Sequence, residues 1–520
     1  MADEMRVRRA LLSVYDRTGL LELGRGLREM GVEILATEGT ARALRDEGIE
    51  ARPIAEITGL PAILGGRVKM LHPTVFGGVL ARRDVPADLR ELEERGIPAV
   101  DLVAVVFYPF EQTLESGASE AELVEKIDVG GPSLLRAAAK NAAHVAALSD
   151  PADYAAVLEE MRRGEGSLSG ETRRSLARKA FARTARYDAA IARWLSGPEP
   201  FPEELILPLR RISPLRYGEN PHQRAALYAP CGPPAGVAGA EKLQGKEISY
   251  NNLLDVTAAL ALVAELQAGQ KRCAAAVIKH GNPCGAAVGE SPLAALEAAL
   301  ATDPVSAFGG VIVLSREVDA AAAARIASSF YEVLAAPGFA PEALDALAAK
   351  KNLRVLRSPL PDPSAAGVEG RTIPGAWLFQ ERDSRDLDER EMRLVTKRAP
   401  SDADWTAMRL AWKVVKHVRS NSIVFAATDR TLGIGAGQMS RVDAARLAVM
   451  KARQAGLSLR GSVVASDGFF PFRDGVDTAA EAGATAIIQP GGSLRDAEVI
   501  AAADERGLAM VLAGLRHFRH

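Results

Sequence analysis

The stretch AAAVIKHGNPCGAA, residues 274–287, places Lys279, His280 and Cys284 within six positions, directly after an apolar run. A histidine and a thiolate that close could share a metal, and a lysine beside a histidine could move protons. Zinc deaminases need H-x-E and a later P-C-x-x-C, because imidazole and thiolates hold the ion while a glutamate moves protons. Here Asn282 stands two positions after His280, and Ala287 three after Cys284. The three cysteines, Cys231, Cys273 and Cys284, offer no ligand pair. The zinc reading is rejected, and Cys284 is expected to be a small buried hydrophobe. The acid–base reading stands. Lys279 and His280 are expected to follow a strand buried in a parallel sheet, where two cations cannot both stay charged cheaply, so a neutral imidazole becomes a base near neutral pH. Lys416-His417 repeats the dipeptide inside the helical stretch DWTAMRLAWKVVKHVRS. Neighbouring side chains on a helix diverge, so that pair is expected to be structural.

Further polar clusters fall at strand ends near the N-terminus: Ser13, Asp16 and Arg17; Thr37, Gly39 and Thr40; and Tyr108. GGRVKMLHP (65–73) adds Arg67 and Lys69 in a Gly- and Pro-bounded loop. In IDVGGPSLLRAAAKN (127–141), Gly130 and Gly131 open a helix with Lys140 at its far end. Gly-rich turns at helix N-termini bind phosphate through free backbone N–H groups. In open α/β sheets, ligands sit beyond the C-terminal ends of the strands.

The elements that must hold these groups alternate. RALLSV (9–14) and EILAT (33–37) read as strands, a helix spans 20–30, and EGT reads as a tight loop before a further helix. AVDLVAVVFYPF (99–110) is apolar on both faces, as a buried parallel strand requires. Leu176, Ala180, Tyr187, Ile191 and Leu195 repeat at helical spacing. The Pro-rich segment 196–214 marks a boundary between domains 1–197 and 198–520. Strands recur at 273–278, 309–315, 422–427, 461–466, 485–490 and 508–514, and the Pro-rich stretch 358–375 suggests two subdomains. The fold class is therefore α/β, with doubly wound sheets.

Composition bounds the partners. With 520 residues, 48% hydrophobic and 25% charged, the chain suits a globular protein of at least two domains. A net charge of −2 supplies no field for nucleic acid or an anionic membrane. The cysteine usage suits a reducing cytoplasm. The N-terminus lacks a secretory apolar stretch, and no apolar run is long enough to span a bilayer.

LRYGENPHQ (215–223), VIKHGNPCG, DPVSAFGG (303–310), RSNSIVFA (419–426), GIGAGQMSR (433–441), SDGFFPFRDGVD (466–477) and the terminal LRHFRH (515–520) occur in this order. Together with GGRVKMLHP, YPF, IDVGG and LLRAAAKN, they make the chain resemble, nearly end to end, the bifunctional AICAR transformylase and IMP cyclohydrolase family. The resemblance implies a methylglyoxal-synthase-like domain followed by a duplicated cytidine-deaminase-like region. It implies formyl transfer from 10-formyltetrahydrofolate to AICAR, giving FAICAR, and dehydrative ring closure to IMP, with no metal required. It also implies a homodimer with transformylase sites at its interface.

The same resemblance assigns residues. His280 moves the proton in formyl transfer, with Lys279 in support. Asn421 hydrogen-bonds the formyl oxygen or orients His280. Arg216, Tyr217, Arg516 and Phe518 surround the nucleotide, with Phe308 and Gly309 in the binding set. Phe469, Pro471 and Asp474 face the folate. Lys69, Tyr108, Asp128 and Lys140 serve ring closure. Three positions depart from the family pattern: Tyr15 for a serine in S-V-S-D-K, Met70 for the threonine in K-T-L-H, and Glu38 for the first glycine in S-G-G-T. All three fall around one presumed phosphate site, and Glu38 would repel phosphate unless it points away. The alternative is a transformylase whose N-terminal domain only binds nucleotide.

Overall fold

The computed structural model describes residues 4–520, so the first three residues of the N-terminal stretch lie outside that range. Contacts divide the chain into two compact units, Met1–Pro208 and Leu209–His520.

In the first unit, five parallel strands are used: β1 (Arg9–Val14), β2 (Glu33–Ala36), β3 (Arg52–Pro53), β4 (Leu102–Val106) and β5 (Ala146–Leu148). They lie in the order β3-β2-β1-β4-β5. β4 is LVAVV with four consecutive buried residues, which only a strand covered on both faces can satisfy. One face packs on α1 (Leu20–Glu29) through Leu20, Leu23 and Leu27. α2 (Glu38–Arg45) begins on the very residues read as a loop, because Thr37 is extended and acts as its N-cap. The other face is covered by α3 (Gly130–Lys140) and α4 (Gly170–Leu195). α4 buries Leu176, Ala180 and Tyr187 as its spacing predicts, but Leu195, at its end, is 68% exposed. Each buried Leu or Tyr contributes roughly 1.5–3 kcal/mol to this packing.

The second unit contains two six-stranded sheets of identical plan. β6 (Glu241–Gln244), β7 (Cys273–Lys279), β8 (Asn282–Gly289), β9 (Val311–Leu314), β10 (Val333–Ala336) and β11 (Arg354–Arg357) order as β6-β11-β10-β9-β7-β8. β12 (Arg393–Leu394), β13 (Ile423–Ala426), β14 (Thr431–Gly435), β15 (Val463–Ser466), β16 (Ala486–Gln489) and β17 (Ala509–Leu512) order as β12-β17-β16-β15-β13-β14. No internal repeat in the residues is strong enough to rely on, yet the topology is duplicated, as the family resemblance implies. α5 (Tyr250–Gln267) and α6 (Asp402–Val415) pack between the sheets in one shared apolar core that includes Val263, Trp412, Ile278 and Val424.

One expectation needs correction here. The sequence predicts a parallel strand for β7, but it runs antiparallel to both β8 and β9. The β8 pairing has a local cause: His280 and Gly281 both have positive φ, 52° and 72°, which closes a two-residue hairpin of primed type. Among the described residues no helix is long and apolar enough to cross a membrane.

Candidate active sites

The first unit opens a cavity of about 720 Å³ at the C-terminal ends of β1, β2 and β4. Ser13, Arg17, Thr37, Gly39, Thr40, Arg67, Lys69, Tyr108, Asp128 and Gly130 all line it. Gly131 stands behind it, its N–H donating to Asp128 Oδ1 at 2.8 Å. Lys140 does not reach the cavity. It is exposed in the last turn of the 11-residue α3, roughly 15 Å along the axis from Gly130.

At one end of the cavity, α2 presents its N-terminus. Thr37 caps nothing with its side chain; its Oγ1 donates to Thr40 Oγ1 at 3.1 Å. Nothing fills the space where a Cβ on Gly39 would lie. First-turn N–H groups, the helix dipole and Arg17 together favour an anion there. Glu38 also lines the cavity at this end, and its carboxylate lies 3.6 Å from Arg45, which offsets part of its charge. Arg67 is paired with Glu125.

At the other end, Lys69 Nζ donates to Tyr108 Oη at 3.0 Å. Burial raises the Asp128 carboxyl above its ordinary value, against the Gly131 N–H and the Lys69 charge. Tyr187, which the sequence offered only as an apolar helix position, fixes the Asp128 backbone. Its hydroxyl accepts from Asp128 N at 2.8 Å and donates to the Lys126 carbonyl at 2.9 Å. Tyr15 packs edge-on to Tyr108 at 5.2 Å, and Lys126 lies 5.4 Å over the Tyr15 ring.

Met70 borders the cavity but is only 2% exposed, embedded with Val105, Leu134 and Ala138. A threonine there would lose packing and bury a hydroxyl. Met70→Thr is therefore expected to destabilise the first unit by about 2–4 kcal/mol, read by denaturant unfolding, with nucleotide KM nearly unchanged.

In the second unit, His280 sits exposed at the tip of the β7–β8 hairpin. Asp255 on α5 holds the turn, accepting from His280 N at 3.2 Å and Gly281 N at 2.6 Å. The sequence reading missed Asp255; a carboxylate one helix before a K-H-G turn was its only signal. Lys279 Nζ donates to the Phe308 carbonyl at 2.8 Å, and Gly309 N to the Phe330 carbonyl at 2.9 Å. Cys284 is 8% exposed, and burial pushes its thiol up to about 12, so it behaves as an apolar residue.

Asn282 Oδ1 accepts from Arg419 N at 3.0 Å, which ties the hairpin to the loop carrying Asn421. Asn421 Nδ2 donates to the carbonyls of Gln438 at 3.0 Å and Met439 at 3.3 Å. The terminal segment 515–520 crosses this region. His517 N donates to the Asp467 carbonyl at 3.2 Å, and Phe518 lies between Arg516 at 4.2 Å and Arg441 at 5.8 Å. A Cβ on Gly468 would lie 2.1 Å from Arg441 Nη2, so only glycine fits before Phe469. Phe469 is 38% exposed and Phe472 47%. Pro471 follows in the same loop, and Asp474 opens the helix Asp474–Glu481. Arg216 stacks 5.5 Å over Tyr217. Their loop is tied to α5 by Asn251 Nδ2 on the Glu219 carbonyl at 3.3 Å, one turn from Asp255.

Lys416 and His417 correct a second expectation. α6 ends at Val415, and both side chains converge on Glu265.

A parallel α/β domain with a polar, charge-lined cavity, followed by a duplicated sheet region with its own hairpin-borne histidine, defines a two-site α/β enzyme. Residues 19–133 match the MGS-like domain, and residues 138–451 match the AICARFT/IMPCHase bienzyme. Bifunctional purine biosynthesis protein PurH of Chloroflexus aurantiacus is 55% identical over 521 residues, covering 100% of both chains. Its namesakes in Magnetococcus marinus (51% identity, 99% and 100% covered) and Myxococcus xanthus (52%, 98% and 100%) are similar throughout. A solved chain titled "Crystal structure of ForH" matches 36% of this chain and 96% of its own at 45% identity, with a TM-score of 0.33. The chain belongs to the bifunctional AICAR transformylase/IMP cyclohydrolase family and carries out the last two steps of purine biosynthesis.

Proposed function

We propose that the first unit closes FAICAR to IMP and the second transfers the formyl group to AICAR. The observation that carries the first half is the cavity, with an anion-binding helix end opposite Lys69, Tyr108 and Asp128. The nucleotide phosphate lies at the α2 N-terminus with Arg17 and Thr40. Lys69 and Tyr108 polarise the formyl oxygen, and Asp128 accepts a carboxamide proton. A carboxylate raised by burial is a stronger base than an ordinary one, which suits a weakly acidic amide. The carboxamide nitrogen then bonds to the formyl carbon, and water leaves. Lys140, held away from the cavity, has no part in this step.

In the second unit, His280 takes the proton from the attacking AICAR amine. Both N–H groups of Asn421 are committed to carbonyls, so the group it offers is the Oδ1 acceptor. Asn421 therefore orients an N–H, of the amine or of His280, rather than donating to the formyl oxygen. Arg216, Arg516 and Phe518 hold the nucleotide. The exposed faces of Phe469 and Phe308 suit a flat folate ring and its aryl group. Bound 10-formyltetrahydrofolate supplies the activated formyl group.

The chain acts as a cytoplasmic homodimer. Support for the dimer comes from the exposed hairpin Val368–Ile373 and Ala376–Glu381, where Trp377 stacks on Phe379 at 5.8 Å. Trp377 and Leu378 are 57% and 58% exposed, a patch that another protein surface would cover.

The assignment of reactions to units is tested with a fragment ending at Pro208. Its two apolar clusters consist wholly of first-unit residues, so it is expected to fold alone. It should close supplied FAICAR to IMP at a rate close to that of the full chain and transfer no formyl group. A folded fragment without ring closure would remove the first unit from that step.

A further inference from the structure

Glu265, Lys416, His417 and Arg519 form a buried chain of charged and polar groups that ends at Asn421. Glu265 accepts from Lys416 Nζ at 2.8 Å, and His417 Nε2 stands 3.4 Å from the same oxygen. The side chains of Lys416, His417 and Glu265 are 8%, 7% and 13% exposed. Burial works to raise the Glu265 carboxyl, but His417 and Lys416 outweigh it and bring it to about 2. Arg519 Nη1 donates to His417 Nδ1 at 3.2 Å. The backbone continues the chain: Ser420 N donates to the Arg519 carbonyl at 2.9 Å, and Arg519 N to Ser420 Oγ at 3.0 Å. Asn421 is the next residue. In the other direction, Arg419 N reaches Asn282, two residues beyond His280.

Arginine only donates, so His417 Nδ1 is unprotonated and the ring's one proton sits on Nε2, toward Glu265. Burial lowers the imidazole from its ordinary range while Glu265 opposes it, in keeping with a neutral ring. Both neighbours are largely shielded from water, so removing the ring leaves their charges poorly compensated.

We infer that His417 and Arg519 are positioning residues for formyl transfer: they clamp the terminal segment, with Arg516 and Phe518, onto the Asn421 loop. This rests on the assignment of formyl transfer to the second unit. Glutamine in place of His417 can accept from Arg519 and donate to Glu265; leucine can do neither.

The test uses the full chain and both reactions. His417→Leu and Arg519→Leu should each lower formyl-transfer kcat roughly 10- to 100-fold, as sub-ångström misplacement does, and raise the KM for AICAR. Acting through one link, the double variant should be no worse than the worse single. His417→Gln should return to within about threefold of wild type by restoring the acceptor for Arg519 beside Glu265. Ring closure should be the same in all. Arg519→Leu, on the other side of the same link, carries the test should His417→Leu fail to fold. Wild-type kinetics in Arg519→Leu, multiplying losses in the double, or glutamine as damaging as leucine would each overturn the inference. A wild-type chain that transfers no formyl group would instead sink the assignment beneath it.

Discussion

His280→Asn should lower formyl transfer by roughly 10²- to 10⁴-fold, the range a positioned proton acceptor supplies. Asparagine is the right replacement because His280 has a φ of 52°, and Asn tolerates the left-handed region better than Ala. The turn, held from below by Asp255, should then survive, and the loss reports the imidazole rather than a distorted hairpin. Ring closure of supplied FAICAR should be unaffected, since the proposed base for that step is Asp128. Formyl transfer near the wild-type rate would mean that the proton goes elsewhere.

Asp128→Asn is expected to separate activity from stability. Its ring-closure rate should fall by roughly 10²- to 10⁴-fold through loss of the base. The amide oxygen can still accept from Gly131 N, so the loop keeps its shape. Burial raises the Asp128 carboxyl in the folded protein, so folding disfavours its charged form. That cost is absent below the ordinary carboxylate pKa, where the group is protonated in both states, grows as pH rises from there, and is complete above the raised value. The variant should therefore melt above wild type at pH 7, with the difference vanishing in acid. The acid limb of the wild-type ring-closure profile should lie above the ordinary carboxylate range and be missing in the variant. A variant that melts lower at pH 7 would show that the charge is stabilised by contacts beyond those described.

Much of this architecture was legible because its signals are local. The buried strand at 102–106 is apolar without interruption, and the helix at 170–195 shows its period. The strand-end clusters predicted most of the cavity, since parallel α/β sheets gather ligands at one edge. What escaped depends on partners distant in sequence. The direction of β7 is set by a hairpin closed by positive φ at His280, and its clamp, Asp255, lies 25 residues earlier. Lys140 shares a motif with Gly130, but a rigid helix carries it away from the site. Met70 was read against a phosphate, and its burial among Val105 and Leu134 is a tertiary fact. Lys416 and His417 looked divergent on a helix that in fact ends one residue before them. The duplication of the two sheets, which the family resemblance implies, is seen in their matching strand orders.

The most direct measurement supplies purified chain with AICAR and 10-formyltetrahydrofolate and follows nucleotides by chromatography. AICAR should fall as IMP rises, with FAICAR only a transient. His280→Asn should block the start of that sequence, and Asp128→Asn should halt it at FAICAR. Accumulation of FAICAR by the wild-type chain, with IMP forming no faster than by spontaneous closure, would contradict the two-site account.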